Sequence, residues 1–176
     1  MDKFQNKYRI PSSRLPNFNY GSAASYFVTI CIKDHACLFG EVLNDEMVLN
    51  KLGNRVELEW KNIPELRPDM NIQLGEFVVM PNHFHGILII GENEFNKNSK
   101  EEDVPTFGPQ SKNLASIVRG FKSSVTSYAK ANGIAFAWQE RFHDHIIRNN
   151  DDYKNIANYI YNNPVNWGKD KFYRPQ

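Results

Sequence analysis

The sequence predicts a single α+β domain, and three features of its 176 residues carry the prediction. One is a run of β-branched and aromatic residues, Tyr26 to Ile32, with the composition of a buried strand. Another is a pair of apolar runs, Glu76–Met80 and His85–Ile90, separated by Pro81 and Asn82 in the manner of a hairpin. The third is apolar spacing of three and four residues in two later stretches, which is helical periodicity.

In chain order, residues 1–22 hold Pro11, Pro16 and Gly21 among basic and polar neighbours and read as an extended arm. The strand at Tyr26–Ile32 follows. Glu41–Leu49 predicts a further strand or hairpin turning at Asn44 and Asp45. From Asn50 the spacing of Leu52, Val56 and Trp60 is helical, with Pro64 expected to end the run. After the hairpin, residues 91–113 are polar, charged and broken by Gly and Pro, and predict a long, mobile surface insertion. Leu114–Ala131 predicts a helix with Ile117, Val118, Phe121 and Val125 on its apolar face. Trp138–Arg148 reads as a strand-like or irregular connection. A last helix is expected to start at a cap on Asp151 or Asp152 and to run to Asn163, where Pro164 stops it.

Composition excludes several classes. Hydrophobic residues at 41% and charged residues at 23% match an ordinary globular protein rather than a disordered or fibrous one. No apolar run approaches the ~20 residues of a membrane-spanning helix, and the polar N-terminus lacks a secretion signal. Cys31 and Cys37 are too few for a disulfide framework or a zinc motif. A cytoplasmic location is the expectation. The net charge of +1 conceals an asymmetry: residues 114–176 carry nine basic and five acidic side chains, whereas residues 71–113 carry three and six. A phosphate-binding face would therefore lean on the C-terminal third.

The sharpest chemical feature is His83-Phe84-His85 at the entry to an apolar strand. Alternation puts both imidazoles on one face and Phe84, Leu88 and Ile90 on the other. Two nitrogen ligands on a rigid strand suit a divalent metal without specifying which; two surface histidines near a turn is the competing interpretation. In the last helix Tyr159 and Asn163 are four residues apart and share a face, while Tyr161 points elsewhere. A phenol can attack phosphorus, and an amide oxygen can serve as a third metal ligand. A tyrosine beside Ile156 and Ile160 can equally be core. A second HxH, His143-Asp144-His145, raises the possibility of a hydrolytic metal site. Arg119, Lys122, Arg141 and Arg148 are candidate phosphate contacts.

Taken together, MPNHFHGILII, LASIVRGFKSSVT, WQERFHDHIIR and YIYNNP resemble, in that order, the HUH-superfamily single-tyrosine transposases, specifically the REP-associated tyrosine transposase branch. The N-terminal RIPSSRLPNFNYGSAASYFVTICI is similar to the start of that branch, so the resemblance runs along nearly the whole chain.

The resemblance implies a central antiparallel sheet flanked by helices, of ferredoxin-like or RNA-recognition-motif type. It places His83 and His85 as the metal pair, Tyr159 as the nucleophile and Asn163 as the third ligand, where related transposases carry Gln. The implied cofactor is Mg²⁺ or Mn²⁺. The implied substrate is single-stranded DNA with imperfect hairpins, cleaved and rejoined through a 5′-phosphotyrosine. Arg9 and Arg14 in the arm, with Arg119 and Lys122, would grip stem and flank, and the protein would act as a monomer or homodimer. No role carries over to His143 or His145. Two other functions compete: a hydrolase that uses both HxH pairs and water, and a domesticated DNA-binding protein that no longer cuts.

Overall fold

The computed structural model describes residues 18–97 and 111–174, together with the backbone of residues 3–4 and 7–8. Arg9, Arg14, most of the N-terminal arm and the centre of the 91–113 insertion lie outside the described residues. Strands β1 (Lys3–Phe4) and β2 (Lys7–Tyr8) pair antiparallel within the arm. β3 (Ala24–Cys31) is the first strand of the main sheet. A hairpin of β4 (Gly40–Leu43) and β5 (Glu46–Leu49) then turns at Asn44 and Asp45, both with positive φ.

Helix α1 (Lys51–Lys61) begins where the Asn50 side chain accepts from the Leu52 and Gly53 amides. Pro64 does not end this helix. The chain breaks at Asn62, and Pro64 sits in the first turn of a short second helix, α2 (Ile63–Leu66), where its missing N–H costs nothing. β6 (Ile72–Val79) and β7 (His83–Ile90) form the expected hairpin. α3 (Leu114–Ala131) opens with a reciprocal capping box between Asn113 and Ser116.

Of the two readings of the Trp138–Arg148 connection, strand-like and irregular, its second half takes the first: β8 (His143–Ile147) forms the edge of the sheet. α4 (Asn150–Tyr161) is capped by Asn149 rather than by Asp151 or Asp152, because the Asn149 side chain accepts from the Asp152 amide. It ends at Tyr161. The first residues of the insertion, 91–97, are tied down by Asn93 and Asn96, whose amides donate to Met70 O and Gly21 O.

The main sheet has the order β6-β7-β3-β8, every neighbour antiparallel. With α1 joining β3 to β6 and α3 joining β7 to β8, this is the βαββαβ plan of the ferredoxin-like fold. The two faces of the sheet have different jobs. Tyr26, Val28 and Ile30 of β3 and Phe84, Leu88 and Ile90 of β7 face α1 and α3 in the main core. Trp60 of α1 is fully buried there, its ring 4.6 Å from Phe84 and 5.5 Å from Phe121. Burying a side chain such as Phe84 contributes up to about 3 kcal/mol. The opposite face carries Ile87 against Ile147 and Ile160, so α4 lies over it. The chain beyond α4 then brings Trp167 and Phe172 onto the same face beside Cys31 and Met80. Among the described residues no helix is long and apolar enough to cross a membrane.

Candidate active site and metal centre

The α4 face of the sheet holds the histidine pair. His83 and His85 are 0% and 1% exposed, so the alternative of two surface histidines does not hold. Their rings lie 4.5 Å apart, side by side on β7, with Phe84 reversed into the core between them. The anchor behind them is tight: a Cβ on Gly86 would meet Trp60 Cζ2 at 2.7 Å and Phe84 Cε1 at 2.8 Å.

Hydrogen bonding sets the tautomer of His83. The Asn82 amide nitrogen donates to the carbonyls of His35 (3.1 Å) and Phe172 (2.8 Å), which leaves Asn82 Oδ1 as an acceptor. Asn82 Oδ1 lies 2.8 Å from His83 Nδ1, so Nδ1 carries the proton and Nε2 keeps its lone pair. His85 Nδ1 is held by Thr29 Oγ1 at 2.8 Å across β3. Burial, then the neighbouring His35 and Lys171, pushes His83 down to about 3, and burial with the adjacent His83 holds His85 well below the ordinary range. Both imidazoles are neutral ligands near pH 7.

Tyr159, on α4, is 43% exposed, and its phenol oxygen lies 3.3 Å from His85 Nε2. Its ring packs edge-on to Phe27 at 6.1 Å. Partial burial and the nearby Asp170 carboxylate raise its pKa. Tyr161 is 81% exposed on the other side of the helix, and Tyr153 donates to Glu76 at 2.8 Å, so neither shares this place.

Asn163 is 2% exposed, below Tyr159 and beside His83. Its Nδ2 points to Asp170 Oδ2 at 3.5 Å, which turns Oδ1 inward without a hydrogen-bond partner. His83 Nε2 is likewise buried and unpartnered. Two buried lone-pair donors without a proton donor between them are costly unless a cation or proton joins them. These residues therefore fit a divalent cation.

Asp170 is the functional candidate that sequence reasoning missed. Its carboxylate and the two imidazoles place their ligand atoms within 4.8 Å of one another. The Phe172 amide holds its other oxygen at 2.7 Å. Asp170 is the one acidic residue after Tyr159 in the chain, which was an available signal. Only the turn Trp167–Lys169 folds it back to the site.

The second HxH stands apart. His143 and His145 pair with Thr29 and Phe27 on the edge strand, exposed and outside the ligand cluster, and His145 Nε2 contacts Asp152 at 3.0 Å. Arg119 and Lys122 lie on α3, behind the opposite sheet face, and line a groove of about 750 Å³ with Trp138. Lys122 donates to the carbonyls of Gln139 and Glu140, so it already braces the connection to β8. Arg141 and Arg148 are exposed to either side of β8.

No family model matches the chain. An uncharacterised protein of Haemophilus influenzae is 44% identical over 168 residues, covering 92% of each chain. A REP-associated tyrosine transposase of Escherichia coli is 27% identical over 106 residues, spanning 60% of this chain and 52% of that one. A second Haemophilus influenzae protein carries the same family name provisionally, at 27% identity over 81% of this chain and 71% of its own. Both named relatives are REP-associated tyrosine transposases, the family that the ordered sequence motifs resemble. A solved structure of such a transposase bound to a REP hairpin superposes with a TM-score of 0.54 at 22% identity, covering 92% of this chain and 77% of that one. At that identity the likeness establishes the shared fold, a central antiparallel sheet flanked by helices.

Proposed function

We propose that this chain is a tyrosine transposase of the REP-associated kind, which cleaves and rejoins single-stranded DNA bearing a hairpin with Tyr159 as the nucleophile. The observation that carries the reading is the position of the phenol oxygen 3.3 Å from His85 Nε2, on a half-open cleft beside unpartnered lone pairs on His83 and Asn163. A structural tyrosine would place its hydroxyl against a backbone carbonyl or in solvent. This one faces a ligand cluster.

His83, His85 and Asn163 would hold the ion, with Asp170 alongside. A divalent cation held there, Mg²⁺ or Mn²⁺, would supply charge neutralisation at the scissile phosphate and would lower the cost of a phenolate. The protein's own part is positional. Phe27 and His85 hold the Tyr159 ring from two sides, at 6.1 and 5.3 Å between ring centres. Thr29 and Asn82 orient the imidazoles. Tyr159 Oη forms a bond to phosphorus, the P–O3′ bond breaks, and the phenolic proton leaves through the open side of the cleft. The products are a free 3′-hydroxyl and a 5′-phosphate esterified to Tyr159. Attack by a 3′-hydroxyl reverses the step and joins strands, so the bond energy is conserved.

The experiment is a covalent-adduct assay. Labelled hairpin-bearing single strands from the sequence flanking the gene are incubated with the protein and Mn²⁺, then run on a denaturing gel. A metal-dependent shifted band, absent in Tyr159→Phe, is the expected result. Cleavage that survives this substitution without an adduct would transfer the chemistry to water and overturn the reading.

A further inference from the structure

The cleft that holds Tyr159 and His85 has a volume of about 680 Å³, and one wall is a row of asparagines. Asn155, Asn158, Asn162 and Asn166 recur at intervals of three and four along α4 and the turn after it, so they stack on one helix face. Asparagine is a poor helix former, so Asn155 and Asn158 inside α4 are costly choices for a merely solvated surface. The amides are oriented. Asn162 Nδ2 donates to Asn158 O at 2.8 Å, and Asn166 Nδ2 donates to Asn162 O at 2.9 Å. Because a carbonyl can only accept, the Asn162 and Asn166 nitrogens face the backbone, which leaves each Oδ1 directed away from those carbonyls. The same cleft presents the half-buried Phe27 ring, and Lys169 at its rim. An aromatic ring already stacked on His85, a cation and a row of side-chain amides together suit an unpaired nucleotide strand.

We propose that this asparagine row reads the edges of unpaired bases in the strand passing Tyr159. Bases with exocyclic amino groups, adenine and cytosine, are favoured over thymine. The amino N–H donates to the outward Oδ1, and the remaining amide N–H is free to donate to the adjacent ring nitrogen. Lys169 holds the backbone without regard to sequence. The inference rests on the single-strand reading above and adds where base preference resides.

The test separates the two. Binding is measured with Tyr159→Phe, so no strand is consumed, using labelled single strands whose unpaired tails are runs of deoxyadenosine, deoxycytidine or deoxythymidine. The expected result is binding to the adenine and cytosine tails about fivefold or more tighter than to thymine, the scale of one net hydrogen bond. Adding Asn158→Ala, Asn162→Ala and Asn166→Ala should level the three affinities. Alanine is the better helix former, so far-ultraviolet circular dichroism should show α4 retained. Equal affinities in the Tyr159→Phe parent, a preference for thymine, a preference that survives the alanines, or uniform loss of binding to every tail would each overturn the proposal. The nucleophile reading stands or falls separately, on the adduct assay with the unaltered protein.

Discussion

The Tyr159 hydroxyl and His85 Nε2 are 3.3 Å apart although 74 residues separate them in sequence. The contact joins the central strand pair to the last helix, and it places the proposed nucleophile beside the proposed metal-binding histidines. Replacing Tyr159 with Phe should reduce adduct formation by about 10³-fold or more, as loss of a nucleophile does. Tyr161→Phe should leave it unchanged. The measurement is the adduct yield of each variant under identical conditions.

Asn82 touches no substrate position yet sets the His83 tautomer. Asn82→Ala should weaken Mn²⁺ affinity by roughly 10–100-fold, the cost of losing an orienting partner. Calorimetric titration of Mn²⁺ into the variant checks this, and unchanged affinity would remove Asn82 from the site.

Acid should destabilise the metal-free protein in a defined window. His83 and His85 are held neutral in the fold, so below about 6.5 the unfolded chain binds protons that the folded chain refuses. Stability then rises with pH, and on acidification it falls from about 6.5 toward about 3. Each imidazole kept neutral costs roughly 1.4 kcal/mol per pH unit in that window. Urea unfolding in chelator at a series of pH values measures the slope, and His83→Gln should flatten it.

Gly86 should not tolerate a side chain. A methyl group there would press on the Trp60 and Phe84 rings at 2.7 and 2.8 Å, and neither buried ring has room to retreat. Gly86→Ala should cost about 1–3 kcal/mol. Thermal unfolding checks it.

The double variant His143→Gln/His145→Gln separates the tyrosine reading from the two-pair hydrolase. Both histidines are exposed on the edge strand outside the ligand cluster. Adduct formation and Mn²⁺ stoichiometry should be unchanged. Loss of the bound ion would restore the hydrolase.

Local chemistry carried much of this protein on its own. Alternation in β7 was enough to predict that His83 and His85 share a face and that Phe84 and Leu88 oppose them, because the strand period is a property of the backbone. Four-residue spacing likewise put Tyr159 and Asn163 together and sent Tyr161 away, and the extent of α3 followed from its apolar stripe. Other features were decided only by tertiary packing. Asn62 rather than Pro64 breaks α1, since a proline is at home in a helix's first turn. The strand-like or irregular segment before α4 becomes β8 because β3 offers it a free edge, and that pairing partner lies far away in sequence. Asp170 reaches the metal pair because the chain after Pro164 turns back and docks Trp167 and Phe172 beside Cys31 and Met80. Spacing along one element is encoded locally, but which distant loop closes a site depends on the packing of surfaces that meet only in the folded chain.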